Sequence, residues 1–572
     1  IKIKGSSMKQ RDVKIDLFFI FLVSLIMTLP QLLGRGMIIG SDSIFHFNRF
    51  YDTAMQIKEG NFQYFISMYG FQESGRIVNA LYGPLTAYLH GLLVLISNSW
   101  YKYQMLTNVL LFLLSGSSMY FFLKKGKIVS QLRLPVSILY MTTYSIHYWT
   151  TRQGFSSWGA ALLPLCLIPF IEMIMKKKIN KFQLGICTAL MVQTHLFSSL
   201  LLVLIYMPAF IFAYFQTDER KQLLSNLFLA VIIFFALTAN VWFGFSVVYD
   251  GNEILTPFVN QTMSLNTINS NSYYWLLNPI SLIFVLLFEF FHGIRRGKGY
   301  SALHKITLGM GTTFLILSTT IIPWSYLVNQ GNALAELIQF PFRFFVPCTI
   351  LFLFSFCMTL QDLNLKKHAL FSRYLNLVVV ASVIQVLGLI SFSMYQWHQN
   401  DSFLQSGSYT IVQTGDDQKI RDSFFMPDLS ISLELVEKPT PDYLPIYSLE
   451  EENKYKLYQE LVIDRNIQFS KEVRDKKLIV HWRGQTNEPI GIPIIKYAGT
   501  QLVLNGSLLE NQHIRLSSLG TINIPQTKGQ NTLEVFYEEP PHFEFVFFFT
   551  IMSWILALLR SSWLLWKAKS KY

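Results

Sequence analysis

The chain has 572 residues, of which 51% are hydrophobic, 15% aromatic and only 14% charged, against a usual charged share of about 25%. An ordinary soluble enzyme is excluded, and the four cysteines, Cys166, Cys187, Cys348 and Cys357, lie inside apolar runs, too few for a disulfide scaffold and without redox or zinc spacing. The net charge of +12 would suggest nucleic acid, but segment 396–541 holds 14 Lys/Arg and 20 Asp/Glu, a net of −6, leaving 33 of the 47 basic and 15 of the 35 acidic residues, a net of +18, to the hydrophobic remainder.

That basic excess occurs in short clusters between apolar runs, at 9–14, 124–133, 176–181, 220–221, 295–305, 366–373 and 567–571. This is the positive-inside pattern of a polytopic membrane protein and argues against nucleic acid. Residues 1–7 read as an appended leader ahead of Met8 and are set aside. Runs long enough for a spanning helix of about 20 residues begin near Asp16, Met105, Leu134, Trp158, Phe182, Leu200, Leu227, Ile280, Ile306, Phe344, Leu375 and Phe545, which predicts twelve spans. The run 182–215 would measure about 50 Å as one helix, too long for a bilayer core of about 30 Å, so it is read as a hairpin turning at 194–199, where polar residues collect. The apolar stretch 81–96 is assigned to a surface or re-entrant helix, because a thirteenth span there would turn every basic cluster from Lys124 onward outside. With that choice 26 of the 33 basic residues lie in or beside cytoplasmic segments, seven (Arg35, Arg49, Lys58, Arg76, Lys102, Arg152 and Arg343) lie outside, and both termini are cytoplasmic.

The expected fold class is a mainly α polytopic membrane protein with an extracytoplasmic β-rich, sandwich-like domain before the last helix. The divisions are a cytoplasmic N-terminus 1–15, a transmembrane domain 16–395 with an outer loop 34–103, an extracytoplasmic domain 396–541 of mixed but β-rich structure, and a final helix with a basic cytoplasmic tail, 542–572. A further outer segment is 248–279. In the β-rich domain, alternation predicts strands at 478–482, 501–504, 521–524 and 532–537, with turns at Asn505-Gly506 and Lys528-Gly529-Gln530, whereas 401–474 reads as helix and loops. No internal repeat is present.

Chemistry is sought where polar groups converge on the outer side. After the first span comes Gly40-Ser41-Asp42-Ser43-Ile44-Phe45-His46-Phe47-Asn48-Arg49. From Ser43 onward, Ile44, Phe47, Tyr51 and Ala54 form an apolar stripe, so a helix there should lie flat at the interface. Asp42 stands at its start and has two readings, an N-cap for the first turn or a general base. His46, one turn on, shares its side, either orienting Asp42, touching substrate or packing as an interfacial histidine. Asp52 and Glu73 are reserve acids. The topology brings His147, Arg152 in the loop 150–157, His195 in the hairpin turn and Arg343 to the same side. Arg343 stands in Gln339-Phe340-Pro341-Phe342-Arg343-Phe344, a cation among aromatics at bilayer depth that either snorkels to headgroups or clamps a substrate phosphate. Glu172 and Glu289 lie near cytoplasmic helix ends and read as interface-setting groups.

These residues carry a resemblance. A first span, an outer loop with an early aspartate, interfacial helices, Tyr82-Gly83-Pro84-Leu85 leading into an apolar stretch, and about a dozen spans resemble the GT-C superfamily of integral-membrane glycosyltransferases. Within it the chain is most similar to the YfhO-like bacterial membrane proteins, through Gly40-Ser41-Asp42, Thr194-His195, the motif around Arg343, and Ile492-Pro493-Ile494-Ile495-Lys496-Tyr497-Ala498-Gly499 before Val503-Leu504-Asn505-Gly506. Unlike many members, the segment from Arg152 to Trp158 carries no acid.

The resemblance implies transfer of a sugar from a polyprenyl-phosphate donor to an extracytoplasmic acceptor, a teichoic or lipoteichoic acid or another surface polysaccharide, in the cytoplasmic membrane, and the Lys-, Ile- and Phe-rich, Cys-poor composition fits a low-GC Gram-positive bacterium. Asp42 would be the base, with His46, Arg152, His195 and Arg343 binding substrate. No cofactor is required; a divalent metal is allowed, but no clustered carboxylates call for one. Two other readings stay open: a transporter or flippase for lipid-linked saccharide, and a non-catalytic scaffold of envelope assembly.

Overall fold

The computed structural model describes residues 13–255, 258–363, 368–399, 403–404, 409–448 and 453–569. The leader 1–7 and Lys9, Arg11, Lys366, Lys367, Asp401 and Lys571 lie outside them.

In chain order the helices are α1 (Val13–Gly34), α2 (Ser43–Glu59), α3 (Pro84–Ser97), α4 (Trp100–Lys125), α5 (Ser130–Met141), α6 (Tyr144–Arg152), α7 (Ser156–Cys166), α8 (Ile168–Lys176), α9 (Lys181–Thr194), α10 (Leu196–Gln216) and α11 (Arg220–Gly251). Then follow α12 (Tyr274–Leu277), α13 (Ser281–Arg296), α14 (Ala302–Leu317), α15 (Trp324–Asn329), α16 (Ala333–Ile338), α17 (Phe345–Asp362) and α18 (His368–Gln399). The terminal helix is Phe543–Lys569.

Eight of the described helical stretches are long and apolar enough to cross a membrane: α1, α4, Ser156–Lys176 (α7 with α8), α10, α11, Pro341–Asp362 (α17 with its preceding turn), Arg373–Gln399 within α18, and Phe543–Leu564. The other four expected spans are helical but shorter, and each has a local cause or a modest length. The third breaks between α5 and α6, where the Thr142 and Thr143 hydroxyls donate to the Leu139 and Tyr140 carbonyls at 2.8 and 2.7 Å. The first arm of the hairpin, α9, stops at His195, whose Nδ1 accepts from the Ser198 N–H at 3.3 Å and so caps α10. Helices α13 and α14 have 16 residues each, about 24 Å of rise. Helix α3, with 14 residues, rises about 21 Å and packs on α2, where Thr53 Oγ1 donates to the Ala87 carbonyl at 2.9 Å.

Glu172 pairs with Lys125 at 2.6 Å and Lys176 at 3.0 Å. Glu289 corrects the interface reading. It is fully buried and its carboxylate accepts from Ser355 Oγ at 2.6 Å and Thr359 Oγ1 at 3.1 Å, which ties α13 to α17.

The segment before the strongest strands is short helices, α19 (Asp417–Ser423), α20 (Ser430–Leu435) and α21 (Lys454–Tyr458), around a two-stranded pair of β1 (Ile411–Val412) and β2 (Val436–Glu437). Two antiparallel sheets follow. One orders β3 (Ser470–Arg474), β4 (Lys477–Gly484), β10 (Gly529–Tyr537), β6 (Thr500–Leu504) and β7 (Ser507–Leu508); the other orders β5 (Ile490–Ile495), β9 (Thr521–Ile524) and β8 (Arg515–Leu516). Alternation sends Leu478, Val480 and Trp482 of β4 and Leu533, Val535 and Tyr537 of β10 inward, with Leu533 opposite both Val480 and Leu504. The β6–β7 turn is Asn505-Gly506, both with positive φ (49° and 84°), the backbone a two-residue hairpin demands.

The two sheets share one core with Ile492, Ile494, Ile522 and Ile524, and this core also takes Tyr64, Phe65, Ile66, Met68, Ile77 and Leu81. The 34–103 loop is therefore divided. Ile44, Phe47, Phe50 and Ala54 of α2 join the core of the helical part, while the stretch from Tyr64 to Leu81 is folded into the β-rich part. The start of α2 stands at the seam between the two.

Candidate active site

The segment Gly40-Ser41-Asp42 is held against the end of α6. The Asp42 N–H donates to the Arg152 carbonyl at 3.1 Å and the Gly40 N–H to Gln153 Oε1 at 3.1 Å. Ser43 Oγ bonds the same Gln153 Oε1, and Gln153 itself takes a left-handed φ of 54°. A Cβ on Gly40 would lie 2.2 Å from Arg152 Cα, so only glycine permits this approach.

Asp42 occupies the N-cap position of α2, yet its side chain makes no capping hydrogen bond. The capping reading of this carboxylate therefore does not hold. The side chain is half-buried. Burial raises its pKa above the ordinary carboxylate range; Lys438, Arg343 and Arg152 oppose that shift, while Asp442 adds to it.

His46 is buried. Its Nδ1 lies 3.2 Å from an Arg49 guanidinium nitrogen. A guanidinium can only donate, so Nδ1 is the acceptor and the proton sits on Nε2. The ring packs 5.1 Å from Phe155, and burial, with Arg49 as the next cause, holds its pKa well below the usual value, so it is neutral. Arg49 is fully buried. It donates from Nε to Asn79 Oδ1 at 3.1 Å, and also to the Tyr82 carbonyl, and lies 4.2 Å above the Tyr82 ring. From the sequence alone it reads only as an outer basic residue. Its signal was the spacing from His46 (three) and Asp42 (seven), which puts all three on one helix face.

Arg343 lies in the turn Pro341–Phe344 before α17. It donates to the Ile338 carbonyl at 3.2 Å and to Gln339 Oε1 at 3.1 Å, and sits 4.9 Å above Phe340 and 5.2 Å above Phe197. Neutral acceptors thus orient it, and among the described residues no carboxylate is within ion-pair distance. Arg152 presents its guanidinium 6.0 Å from the Tyr274 ring. His195 spends its Nδ1 on the α10 cap and its ring stands 6.1 Å from Tyr82. His147 packs against Phe112 at 5.1 Å.

Arg343 and Arg152 both lie within electrostatic reach of Asp42, and His195 lies within reach of His46 and of Arg343. The reserve acids are elsewhere. Asp52, ten residues along α2 and so about 15 Å away, accepts from the Met68 and Tyr69 N–H groups at 2.8 and 2.9 Å and from Gln56 at 2.9 Å. It organises the backbone that enters the β-rich core. Glu73 ends a run of three left-handed residues, Phe71, Gln72 and Glu73. The Gln72 and Glu73 carbonyls accept from Lys471 Nζ at 2.7 and 3.0 Å, and burial pushes the Glu73 carboxyl up. Asp52→Asn keeps an oxygen for the two N–H groups but places a donor where Gln56 Nε2 points, while Gln56 Oε1 is held by the Gln63 N–H and Tyr88 Oη, a loss of about 1–3 kcal/mol for a buried acceptor. A lower melting temperature with unchanged turnover per folded molecule is the expected result in thermal unfolding and activity assays.

Three groups were not found from the sequence: Lys438 and Asp442, which act on Asp42, and Tyr443, whose ring lies 6.4 Å from Tyr82. All belong to 436–447 of the β-rich part. The signal was present in Pro439, Pro441 and Pro445, which mark a stiff extended segment. Among the described residues no three His, Cys, Asp or Glu side chains form a group that could hold a metal ion.

No family model and no curated protein matches the chain. Among solved structures it is similar to the apo crystal structure of an oligosaccharyltransferase from Archaeoglobus fulgidus, with 11% sequence identity and a TM-score of 0.41, over 78% of this chain and 62% of that one. The chain thus matches less than two thirds of that structure's length.

Proposed function

We propose that the protein is a GT-C-type membrane glycosyltransferase that moves a sugar from a polyprenyl-phosphate donor to a hydroxyl of an extracytoplasmic acceptor, with teichoic and lipoteichoic acids as the first acceptors to test. The observation that carries this reading is a carboxylate that caps nothing, Asp42, set among three cations at the seam of the helical and β-rich parts.

Asp42 takes the proton from the acceptor hydroxyl. The acceptor oxygen forms the new bond to the anomeric carbon as the bond from that carbon to the phosphate oxygen breaks, and the electron pair leaves on the phosphate. The guanidinium of Arg343, held by the Ile338 carbonyl and Gln339, stabilises the charge that develops there, with Arg152 as a further cation within reach of Asp42. One base and one anion clamp suffice for a single inverting displacement.

The base must be ionised, and burial raises its pKa. Transfer should therefore fall about tenfold per unit as pH drops below that value and level off above it, with the midpoint above the ordinary aspartate value of about 3.9. A pH–rate profile of kcat/KM in proteoliposomes checks this. The deciding experiment supplies polyprenyl-phosphate sugars to membranes containing wild type or Asp42→Asn and follows the surface polymer by mass spectrometry. If wild type moves labelled lipid-linked sugar across the bilayer without forming a glycoside, the protein is a transporter and this reading falls.

A further inference from the structure

We propose that Tyr82 and Tyr443 form a sugar-binding platform beside the start of α2, in which the ring faces take the apolar C–H face of a pyranose and the phenol hydroxyls bond its polar rim. This rests on the sugar transfer proposed above, and the pyranose is either that of the donor or one of the acceptor.

The two rings come from different parts of the fold and meet at the seam. Tyr82 packs against the core of the helical part and Tyr443 against that of the β-rich part. Both are half-buried. Their centroids are 6.4 Å apart and their planes are inclined by 29°, so the two faces have nearly the same orientation. Tyr82 opens the Tyr82-Gly83-Pro84-Leu85 motif and is held from two sides. Arg49 donates to its carbonyl and lies 4.2 Å above its ring, while Gly83, with a φ of 56°, sits so close to the α9–α10 turn that a Cβ there would be 2.6 Å from the Thr194 carbonyl oxygen. The Tyr82 ring stands 6.0 Å from His46 and 6.1 Å from His195. His46 is one turn from Asp42, to whose carbonyl its N–H donates at 3.0 Å, so Tyr82 borders the first turn of α2, where the base stands.

Tyr443 has a left-handed backbone, with a φ of 65°, a conformation that bulky residues rarely take and that persists only where surrounding bonds impose it. Those bonds lie on both sides of it. Arg76, fully buried, donates to the Thr440 carbonyl at 2.7 Å and to the Asp442 carbonyl. Tyr497 Oη donates to the Tyr443 carbonyl at 3.0 Å, and the Leu255 N–H donates to the Leu444 carbonyl at 2.8 Å. Glycine or asparagine would take that backbone more easily, so the presence of tyrosine points to its side chain. Packing alone does not account for that side chain. The ring is half-buried, and among the described residues neither Tyr443 Oη nor Tyr82 Oη has a hydrogen-bond partner, although an enclosed tyrosine usually finds one. Near-parallel aromatic faces with unspent hydroxyls suit a pyranose, whose axial C–H groups are apolar and whose rim is polar. A lipid tail would use the faces and leave the hydroxyls, and a phosphate would leave the faces.

The test uses the full-length protein in phosphatidylglycerol nanodiscs, with the methyl β-glycosides of glucose, galactose and N-acetylglucosamine as probes and saturation-transfer difference NMR as the readout. At least one glycoside should receive saturation chiefly on the C–H protons of one ring face. Tyr443→Ala should weaken its binding about tenfold, the scale of one lost aromatic contact, and Tyr82→Leu should do the same from the helical side. Tyr443→Phe should keep the face-selective pattern, with melting temperatures showing that the variants are folded. Turnover by Tyr443→Ala separates the two sources: a rise in KM for the polyprenyl-phosphate sugar alone assigns the platform to the donor sugar, and a rise in KM for lipoteichoic acid alone assigns it to an acceptor sugar. If wild type shows no face-selective saturation with any of the glycosides, or if Tyr443→Ala and Tyr82→Leu bind and turn over as wild type does, the platform is overturned and the sugar transfer stands. If wild type forms no glycoside but shows the face-selective saturation that Tyr443→Ala loses, the transfer reading falls and the platform stands as a sugar-binding site.

Discussion

Asp42→Asn is expected to reduce sugar transfer by about 10²- to 10⁴-fold, the range for loss of a general base, while leaving the melting temperature close to that of wild type. Both halves of the expectation follow from the same geometry. The bonds that set the segment are made by the main chain: the Asp42 N–H to the Arg152 carbonyl at 3.1 Å, and the His46 N–H to the Asp42 carbonyl at 3.0 Å. Neither involves the carboxylate, and the side chain caps nothing, so the amide removes a base without removing a structural bond. An aspartate serving as an N-cap would behave the other way, with about 0.5–2 kcal/mol of stability lost on truncation to Ala and little change in rate. Asp42→Ala beside Asp42→Asn separates the cases. Loss of transfer in both with small thermal shifts supports catalysis, whereas a stability loss confined to the Ala variant with transfer retained returns Asp42 to a structural role and brings the transport reading forward.

The parts of this site that could be read in the sequence are those whose evidence is local. Asp42, His46 and Arg49 lie within eight residues on one helix, and Arg343 stands out as a cation in an aromatic run. Whether Asp42 caps its helix could not be read, because the answer depends on how Gln153 and the Arg152 carbonyl, over a hundred residues away, hold the turn before α2. Lys438 was hidden for a similar reason. Its placement depends on Arg76 gripping Thr440, a contact 364 positions apart, and hydropathy and charge patterns carry no information about such pairings.

The same division applies to the fold. Apolar length marked the helical stretches at the twelve expected spans but not the short helices α12, α15 and α16, and the back-bonding of Thr142 and Thr143 that breaks the third span is compatible with an unbroken apolar run. Strands β4 and β10 alternate and were legible. Strand β5, Ile490–Ile495, has Pro493 and four successive buried residues, so period two disappears; the proline is tolerated because β5 is the edge of its sheet. Strand β3, SKEVR, is a polar edge with too little apolar content to register.

Gly40→Ala should be nearly as damaging as the loss of the carboxylate, although it removes no functional group. The added Cβ would stand 2.2 Å from Arg152 Cα, 2.7 Å from Arg152 C and 2.7 Å from the Thr151 carbonyl oxygen. All three are backbone atoms, so no side-chain rotation relieves the overlap, and either the end of α6 or the turn carrying Asp42 must move. Overpacking of this kind costs about 1–3 kcal/mol. The larger consequence is positional, since displacement of a reacting group by about 1 Å lowers rates by about 10²-fold. Gly309→Ala is the control: its Cβ would meet nothing within 4 Å, and on α14 the change should leave both stability and transfer unaffected. Thermal unfolding and initial rates at saturating donor would give, for Gly40→Ala, a melting temperature lower by a few degrees and a kcat lower by about 10²-fold. A variant that keeps wild-type kcat despite the thermal loss would mean that Asp42 does not depend on α6 for its position. The hydrogen bond from its N–H to Arg152 would then be a fold contact, and Arg152 would be left with binding, not alignment, as its contribution to the site.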